Sequence, residues 1–297
     1  MNKNLLNKIL KLDYVQRIEL EPGIFTCNSD QTHLGLVNQL LEPIDFQSLA
    51  CLDIGTRDGG TAFLLEKCGA RPVVALDIED RKQFRLVHKY LQSNVKYITD
   101  CHVDDMEDRL SEIQPNNFDI IILSSVLNHV YDIFGTLAQA RNLLKPGGLL
   151  IVETACIESA ESSFYFNNEG YFYNDSYAYW FPTVACFKHL LSLCSFELLS
   201  SLKEKGNHKH GDLLRYALTV RAVKPSIAFN GNIWMQKRLD MPYGKDYSRF
   251  IERPLDYHSL ELEEQFEPIP YNKTIISQNN HSGVMGLLDH IKRKLKI

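Results

Sequence analysis

The chain has no uninterrupted apolar run approaching the ~18 residues that a membrane span requires, so no segment reads as a transmembrane helix. Paired cysteines are also missing. Cys27, Cys51, Cys68, Cys101, Cys156, Cys186 and Cys194 stand singly, with no C-x-x-C among them. An odd, scattered set fits neither a disulfide framework nor a zinc knuckle. We therefore expect reduced thiols, no catalytic cysteine, no metal and a cytoplasmic location. Residues 1–13 lack an apolar signal core and a small-residue cleavage site, which argues against secretion. Nor is there an excess of positive charge. Lys and Arg number 32 against 37 Asp and Glu, for a net charge of −5. A whole-surface grip on nucleic acid is excluded, and only a local basic patch stays open. No internal repeat or low-complexity tract is present.

What the chain does have is an ordinary globular composition over 297 residues, 44% hydrophobic and 23% charged. Its middle alternates apolar runs with helical periods. Strands are expected at 48–54, 72–76, 95–98, 118–123 and 149–154, with helices at 59–68, 81–92, 103–113 and 131–144 between them. Lys145-Pro146-Gly147-Gly148 reads as a turn. The run at 118–123 is continuous and β-branched, as in a strand buried on both faces. This alternation predicts an α/β fold, a doubly wound and mainly parallel sheet with helices on both faces. A helix at 184–194 and two strands at 196–202 and 213–223 would close the sheet as an antiparallel hairpin. The expected organisation is a mostly helical N-terminal segment at 1–47 and a core domain at 48–223 interrupted by an insertion at 155–181. A proline-bearing C-terminal extension follows at 224–297.

The first strand delivers Leu52-Asp53-Ile54-Gly55-Thr56-Arg57-Asp58-Gly59-Gly60. A glycine-bearing turn into a helix lets a ligand approach the backbone. The spacing Gly55-x-x-x-Gly59-Gly60 does not fit the dinucleotide fingerprint G-x-G-x-x-G. Asp53 would repel a pyrophosphate and attract an ammonium or sulfonium. Asp77 ends the second strand, where an acid accepts hydrogen bonds from ribose hydroxyls. Asp100, beside Cys101, ends the third, where an adenine amino group would lie. Each aspartate alone could be a structural cap, but one ligand accounts for the ordered set.

The motifs LDIGTRDGG (52–60), ALDI (75–78), ITD (98–100), FDIIILSSVLNHVYD (118–132) and LLKPGGLLIVET (143–154) resemble those of the class I S-adenosylmethionine-dependent methyltransferases. The resemblance covers roughly residues 48–223. It implies S-adenosyl-L-methionine as cofactor, held by Asp53, Gly55, Thr56, Arg57, Gly59, Asp77, Ile78, Asp100, Cys101 and Ser125. Arg57 stands where that family often has a glycine; it either meets the cofactor carboxylate or points to solvent. ETACIE (153–158), VLNH (126–129) and YWFPTVACFKHLLSLCSFEL (179–198) are similar to the methyltransferase relatives of the bacterial enzyme that carboxymethylates wobble uridine in tRNA. Asn128 replaces an aromatic residue that in the tRNA enzyme helps recognise the carboxylated cofactor. That enzyme also carries a longer basic region before its glycine loop than the 52 residues preceding Asp53 here. Both departures imply ordinary S-adenosylmethionine and another acceptor.

Methyl transfer from a sulfonium is an in-line displacement that needs alignment and exclusion of water. A hydroxyl acceptor also needs a base. His129 and Glu153 follow the fourth and fifth strands, at the end where doubly wound sheets bind ligands, and are the catalytic candidates. Histidine exchanges protons near neutral pH and is the better base. The insertion holds Phe164, Tyr165, Phe166, Tyr171, Phe172, Tyr173, Tyr177, Tyr179, Trp180 and Phe181. It reads as neither strand nor helix, and as either a lid or a satellite core. As a lid it would offer Tyr177, Tyr179 and Trp180, with Asn128, to a sugar or planar acceptor. His208-Lys209-His210 reads as a solvated turn. The apolar face of 284–297 could dock on this domain, on a second copy or on an acidic membrane surface, with docking on protein the expectation. The expected function is methylation of a small molecule or sugar on oxygen. RNA modification and a catalytically silent binding protein are the alternatives.

Overall fold

A computed structural model describes residues 3–28, 32–111, 113, 117–172, 175, 177–205, 213–223 and 269–271. Helix α1 (Lys3–Ile9), strands β1 (Glu19–Glu21) and β2 (Ile24–Phe25), and helix α2 (Thr32–Leu41) precede the sheet. The segment is thus less helical than its composition suggests. The β1–β2 hairpin turns at Pro22-Gly23, with Gly23 at φ 79, and strands this short carry no readable alternation. Then follow β3 (Cys51–Ile54), α3 (Gly60–Lys67), β4 (Val73–Leu76), α4 (Lys82–Leu91), β5 (Lys96–Ile98), α5 (Met106–Ser111) and β6 (Phe118–Ser124). The order continues with α6 (Ile133–Leu143), β7 (Leu144–Ile157), β8 (Phe164–Phe166), β9 (Trp180–Pro182), α7 (Val184–Leu193), β10 (Phe196–Lys205) and β11 (Leu213–Ala222).

The main sheet has seven strands in the order β10-β11-β7-β6-β3-β4-β5. β5, β4, β3, β6 and β7 are parallel, whereas β11 runs antiparallel to both β7 and β10. This is the doubly wound sheet, closed by a hairpin, that the sequence predicts. Alternate residues explain the two-sided burial. Leu52, Ile54, Val74, Leu76, Ile121, Leu123, Leu150 and Val152 pack on one face with α5, α6 and α7. Cys51, Val73, Ala75, Ile120, Ile122, Leu149 and Ile151 pack on the other with α1 to α4. Both sets are apolar, so the strands read as continuous hydrophobic runs. Asp132 accepts from the Gly135 N–H at 2.8 Å and Thr183 from the Cys186 N–H at 3.2 Å, capping α6 and α7.

Lys145–Gly148 is a bulged part of β7 rather than a turn outside it. The register passes from Phe118↔Leu144 to Ile120↔Leu149. A Cβ on Gly148 would lie 2.9 Å from the Lys145 carbonyl, so the close approach needs glycine. The helix expected at 103–113 opens as a 3-10 turn, Val103–Asp105, before α5. The insertion, expected to be irregular, pairs β8 antiparallel with β9, and Ile157 bridges to Thr183. At the other side, Tyr271 shares hydroxyl hydrogen bonds with Ser200 and Thr219. The His208–His210 turn and the 284–297 helix lie outside the described residues. Among these, no helix is long and apolar enough to cross a membrane.

Candidate functional site

The carboxyl ends of β3, β4, β5, β6 and β7 converge on one edge of the sheet. Gly55 has φ 70, and a Cβ there would sit 2.4 Å from Val126 Cγ2. Gly59 has φ 93, and a Cβ there would overlap Phe63 and Phe84. Only glycine fits either place. The loop is stitched to β4, because the Gly55 and Thr56 amides donate to the Leu76 carbonyl at 2.8 and 3.0 Å. Asp53 is buried and accepts from the Thr56 hydroxyl at 2.7 Å. Burial, with the nearby Asp77 carboxylate adding, pushes the Asp53 carboxyl up to about 7, against the pull of the Thr56 hydrogen bond.

Asp77 is also buried and accepts from the Arg57 N–H at 2.8 Å and the Glu79 N–H at 2.9 Å. It therefore braces Arg57, whose φ is 53 and whose side chain is exposed. Each carboxylate oxygen keeps a further lone pair for a ligand hydroxyl. Ile78, next to it, is 54% exposed, an unusual state for isoleucine that leaves an apolar face for a ring. The Cys101 amide donates to the Asp77 carbonyl at 3.4 Å, and its thiol is buried. Asp100, exposed at φ 54, accepts from Thr99 Oγ1 at 3.3 Å. The sequence-predicted cofactor residues are thus brought to one rim.

Past β6, Ser125 holds φ 57 and donates its amide to the Glu153 carbonyl at 3.0 Å. Glu153 is fully buried. Arg215 Nε and Nη2 reach its two oxygens at 2.5 and 2.7 Å, and Ser124 Oγ donates to it at 3.1 Å. Arg215 also donates to Ser125 Oγ. With both oxygens so engaged, Glu153 ties β6, β7 and β11 together and presents no open oxygen to an acceptor. Arg215 escaped the sequence reading, although a lone cation within the apolar run Leu213-Leu214-Arg215-Tyr216-Ala217 must be paired.

Asn128 also corrects an expectation. Its side chain does not face an acceptor. Oδ1 accepts from Thr154 Oγ1 at 2.7 Å and the Ala155 N–H at 2.9 Å, and Nδ2 donates to the Ala155 and Trp180 carbonyls at 3.2 and 2.6 Å. All four hydrogen-bonding directions of the amide are used, and it clamps the insertion to β7. The neighbouring His129 is exposed, and its Nδ1 lies 2.9 Å from the Tyr177 carbonyl. A carbonyl only accepts, so Nδ1 carries the proton and Nε2 of the neutral ring is the lone-pair nitrogen.

The insertion divides in two. Phe181 and Ala178 are buried with Ala155, Ile157 and Leu213, and Phe172 packs on them. Tyr131, Tyr177, Phe166 and Tyr171 are 53–74% exposed around the same end of the sheet. Tyr179 stacks on Tyr131 at 4.5 Å, and Trp180 meets Phe166 edge-on at 5.2 Å. Another group missed by sequence reasoning is Asp58, which accepts from the Val15 and Gln16 amides at 2.7 and 3.2 Å. Gln16 Oε1 in turn accepts from the Gly60 N–H at 2.7 Å, supplying an N-terminal cap to α3 from a distant segment. All seven cysteines are free, and burial pushes the Cys51 and Cys156 thiols up, away from nucleophilic use.

Among curated relatives, the chain is 27% identical over 150 residues to the tRNA U34 carboxymethyltransferase of Dichelobacter nodosus, covering 50% of this chain and 45% of that one. It is 35% identical over 105 residues to the ubiquinone biosynthesis O-methyltransferase of Xanthomonas campestris pv. campestris, covering 35% of this chain and 41% of the other. The chain thus spans less than half the length of these relatives. Among solved structures, the N-terminal domain of EvdMO1, solved with S-adenosylhomocysteine and D-fucose, superposes with a TM-score of 0.54 at 14% identity. That match covers 75% of this chain and 97% of the other, and it shows a shared fold. Residues 31–204 match the family model described as a methyltransferase domain, and the chain belongs to that S-adenosylmethionine-dependent methyltransferase family.

Proposed function

We propose that the chain methylates an oxygen of a small planar or sugar acceptor seated between His129 and the exposed aromatics of the insertion. The observation that carries this reading is the 2.9 Å approach of His129 Nδ1 to the Tyr177 carbonyl, which as a hydrogen bond places the proton on Nδ1. The Tyr177 carbonyl holds Nδ1–H, and Nε2 is left to take a proton. S-adenosylmethionine supplies the electrophilic methyl group when bound. His129 Nε2 would take the proton of the attacking hydroxyl as the oxygen–methyl bond forms and the methyl–sulfur bond breaks, with the thioether S-adenosylhomocysteine as leaving group. Tyr177, Tyr179 and Trp180 flank the acceptor and limit water. Asp53 faces the cofactor's ammonium group, Asp77 its ribose, and Ile78 with Cys101 its adenine. The O-methyltransferase relative supports an oxygen acceptor, though over a partial match.

The pH dependence of binding follows from Asp53. A cation binds the ionised carboxylate, and burial pushes the Asp53 carboxyl up to about 7. Cofactor affinity should therefore rise with pH, by about tenfold between pH 6 and 8. The stability that protonated Asp53 lends the free fold has the opposite sense: it is present at low pH and lost as pH rises through about 7. Calorimetry in two buffers at pH 6 should show net proton release on binding S-adenosylhomocysteine, and its absence would detach Asp53 from the ligand.

The function itself is tested by transfer of labelled methyl from S-adenosylmethionine to a panel of phenols, sugars and a tRNA anticodon stem-loop. Label in a hydroxylated small molecule is the expected result. Label in the stem-loop alone would replace this reading by RNA modification, and cofactor binding with no transfer to any acceptor would favour a silent binding protein.

A further inference from the structure

A cavity of about 450 Å³ lies behind the glycine loop, between the β1–β2 hairpin, α2 and α3. Its walls are largely apolar and include Leu20, Phe25, Leu34, Phe63, Leu64 and Leu91. None of the residues assigned above to the acceptor takes part in it.

One uncharged side chain on this wall stands apart from the others. Asn38, on α2, lines the cavity and is only 7% exposed. Its carboxamide forms no hydrogen bond among the described residues. Contrast Asn128, equally buried, whose amide is saturated by four partners. The amide therefore opens onto the cavity rather than into the core, and a leucine in its place would extend the surrounding Leu36, Leu40 and Leu41 packing. A mainly apolar pocket with a few placed polar groups is the usual form of a small-molecule site, and its volume lies in the usual range.

The charges on the wall are already engaged. Lys67 Nζ pairs with Glu19 at 2.5 Å, Glu21 accepts from the Tyr90 hydroxyl, and the Arg17 guanidinium lies 3.4 Å over the Phe25 ring. Glu66 accepts from Ser93 Oγ and from the Asn94 N–H, both at 2.6 Å, so each charged group on the wall already has a partner and the complementary ligand is neutral. A carboxamide presents a donor and an acceptor side by side, which an amide or lactam edge matches with two hydrogen bonds.

We propose that this cavity is a second ligand site, for a neutral, apolar, ring-bearing molecule that offers an amide- or lactam-type donor–acceptor pair to Asn38. Phe25 and Phe63 supply the ring contacts. The ligand is held apart from the glycine loop by Gln16, whose Oε1 caps Gly60 between the two sites.

The test uses the whole protein with 2-quinolinone as probe, N-methyl-2-quinolinone as its donor-blocked counterpart, and the variant Asn38→Leu. Titration by calorimetry or NMR should show 2-quinolinone binding wild type at least tenfold more tightly than the N-methyl compound. In Asn38→Leu that preference should disappear while the melting temperature rises. S-adenosylhomocysteine should bind the variant as it binds wild type, which separates this site from the cofactor end. Equal affinity of the two probes for wild type, an unchanged preference in the variant, or no binding up to the solubility limit would each overturn the proposal. Failure of S-adenosylhomocysteine to bind wild type would instead count against the cofactor assignment alone.

Discussion

Arg215→Met is expected to destabilise the fold by about 3–5 kcal/mol, because it strands a buried carboxylate. Glu153 has no exposed surface, and its charge is met by two guanidinium nitrogens at 2.5 and 2.7 Å. The same side chain supports Ser125, whose positive φ turns the chain away from β6. Removing one partner leaves the desolvation cost of the other without its compensation. Removing both is far milder, since well-packed apolar residues of similar volume often replace a buried pair at little loss. Urea unfolding should therefore show a large drop in midpoint for Arg215→Met and recovery of most of it in Glu153→Leu/Arg215→Met. A single-variant loss below about 1 kcal/mol, the size of an exposed pair, would show that the bridge is solvated and leave Glu153 open to other roles.

The other large effect is on rate. His129→Gln should lower kcat by about 10²–10⁴-fold on a hydroxyl acceptor, the usual worth of a positioned base. Glutamine can keep a hydrogen bond to the Tyr177 carbonyl, so the connection to the insertion need not be lost with the base. His129 is exposed, so its melting temperature should move little. Cofactor affinity should also hold, because no hydrogen bond links the imidazole to Asp53 or Asp77. Steady-state kinetics with a labelled methyl group separates these quantities. A glutamine variant with wild-type kcat would remove His129 from the chemistry.

How far the sequence revealed this site depended on the range of each interaction. Asp53, Gly55, Asp77 and Asp100 lie at strand ends, and strand position together with residue type is local information. The parallel strands were legible for the same reason, since both faces are apolar. Asn128 was misread because its partners, Thr154, Ala155 and Trp180, are distant in the chain, and an asparagine after a strand looks alike whether it clamps or binds. Arg215 and Glu153 were likewise separable only once β7 and β11 were seen side by side. The insertion's aromatics gave composition without direction. Nothing local distinguishes the buried Phe181 from the exposed Phe166, and the β8–β9 pairing that does so is set by residues 14 or more positions apart. The 15–16 strap on Asp58 and Gly60 has no motif at all.

The most direct test of the account is calorimetric titration of S-adenosylhomocysteine into wild type and Asp77→Ala, with melting temperatures as control. The account predicts micromolar binding by wild type and a loss of about 1–3 kcal/mol in the variant, through missing charge-assisted bonds to ribose. Equal dissociation constants for the two folded proteins would contradict it, because the rim formed by Asp53, Asp77 and Ile78 would then not be where the cofactor lies.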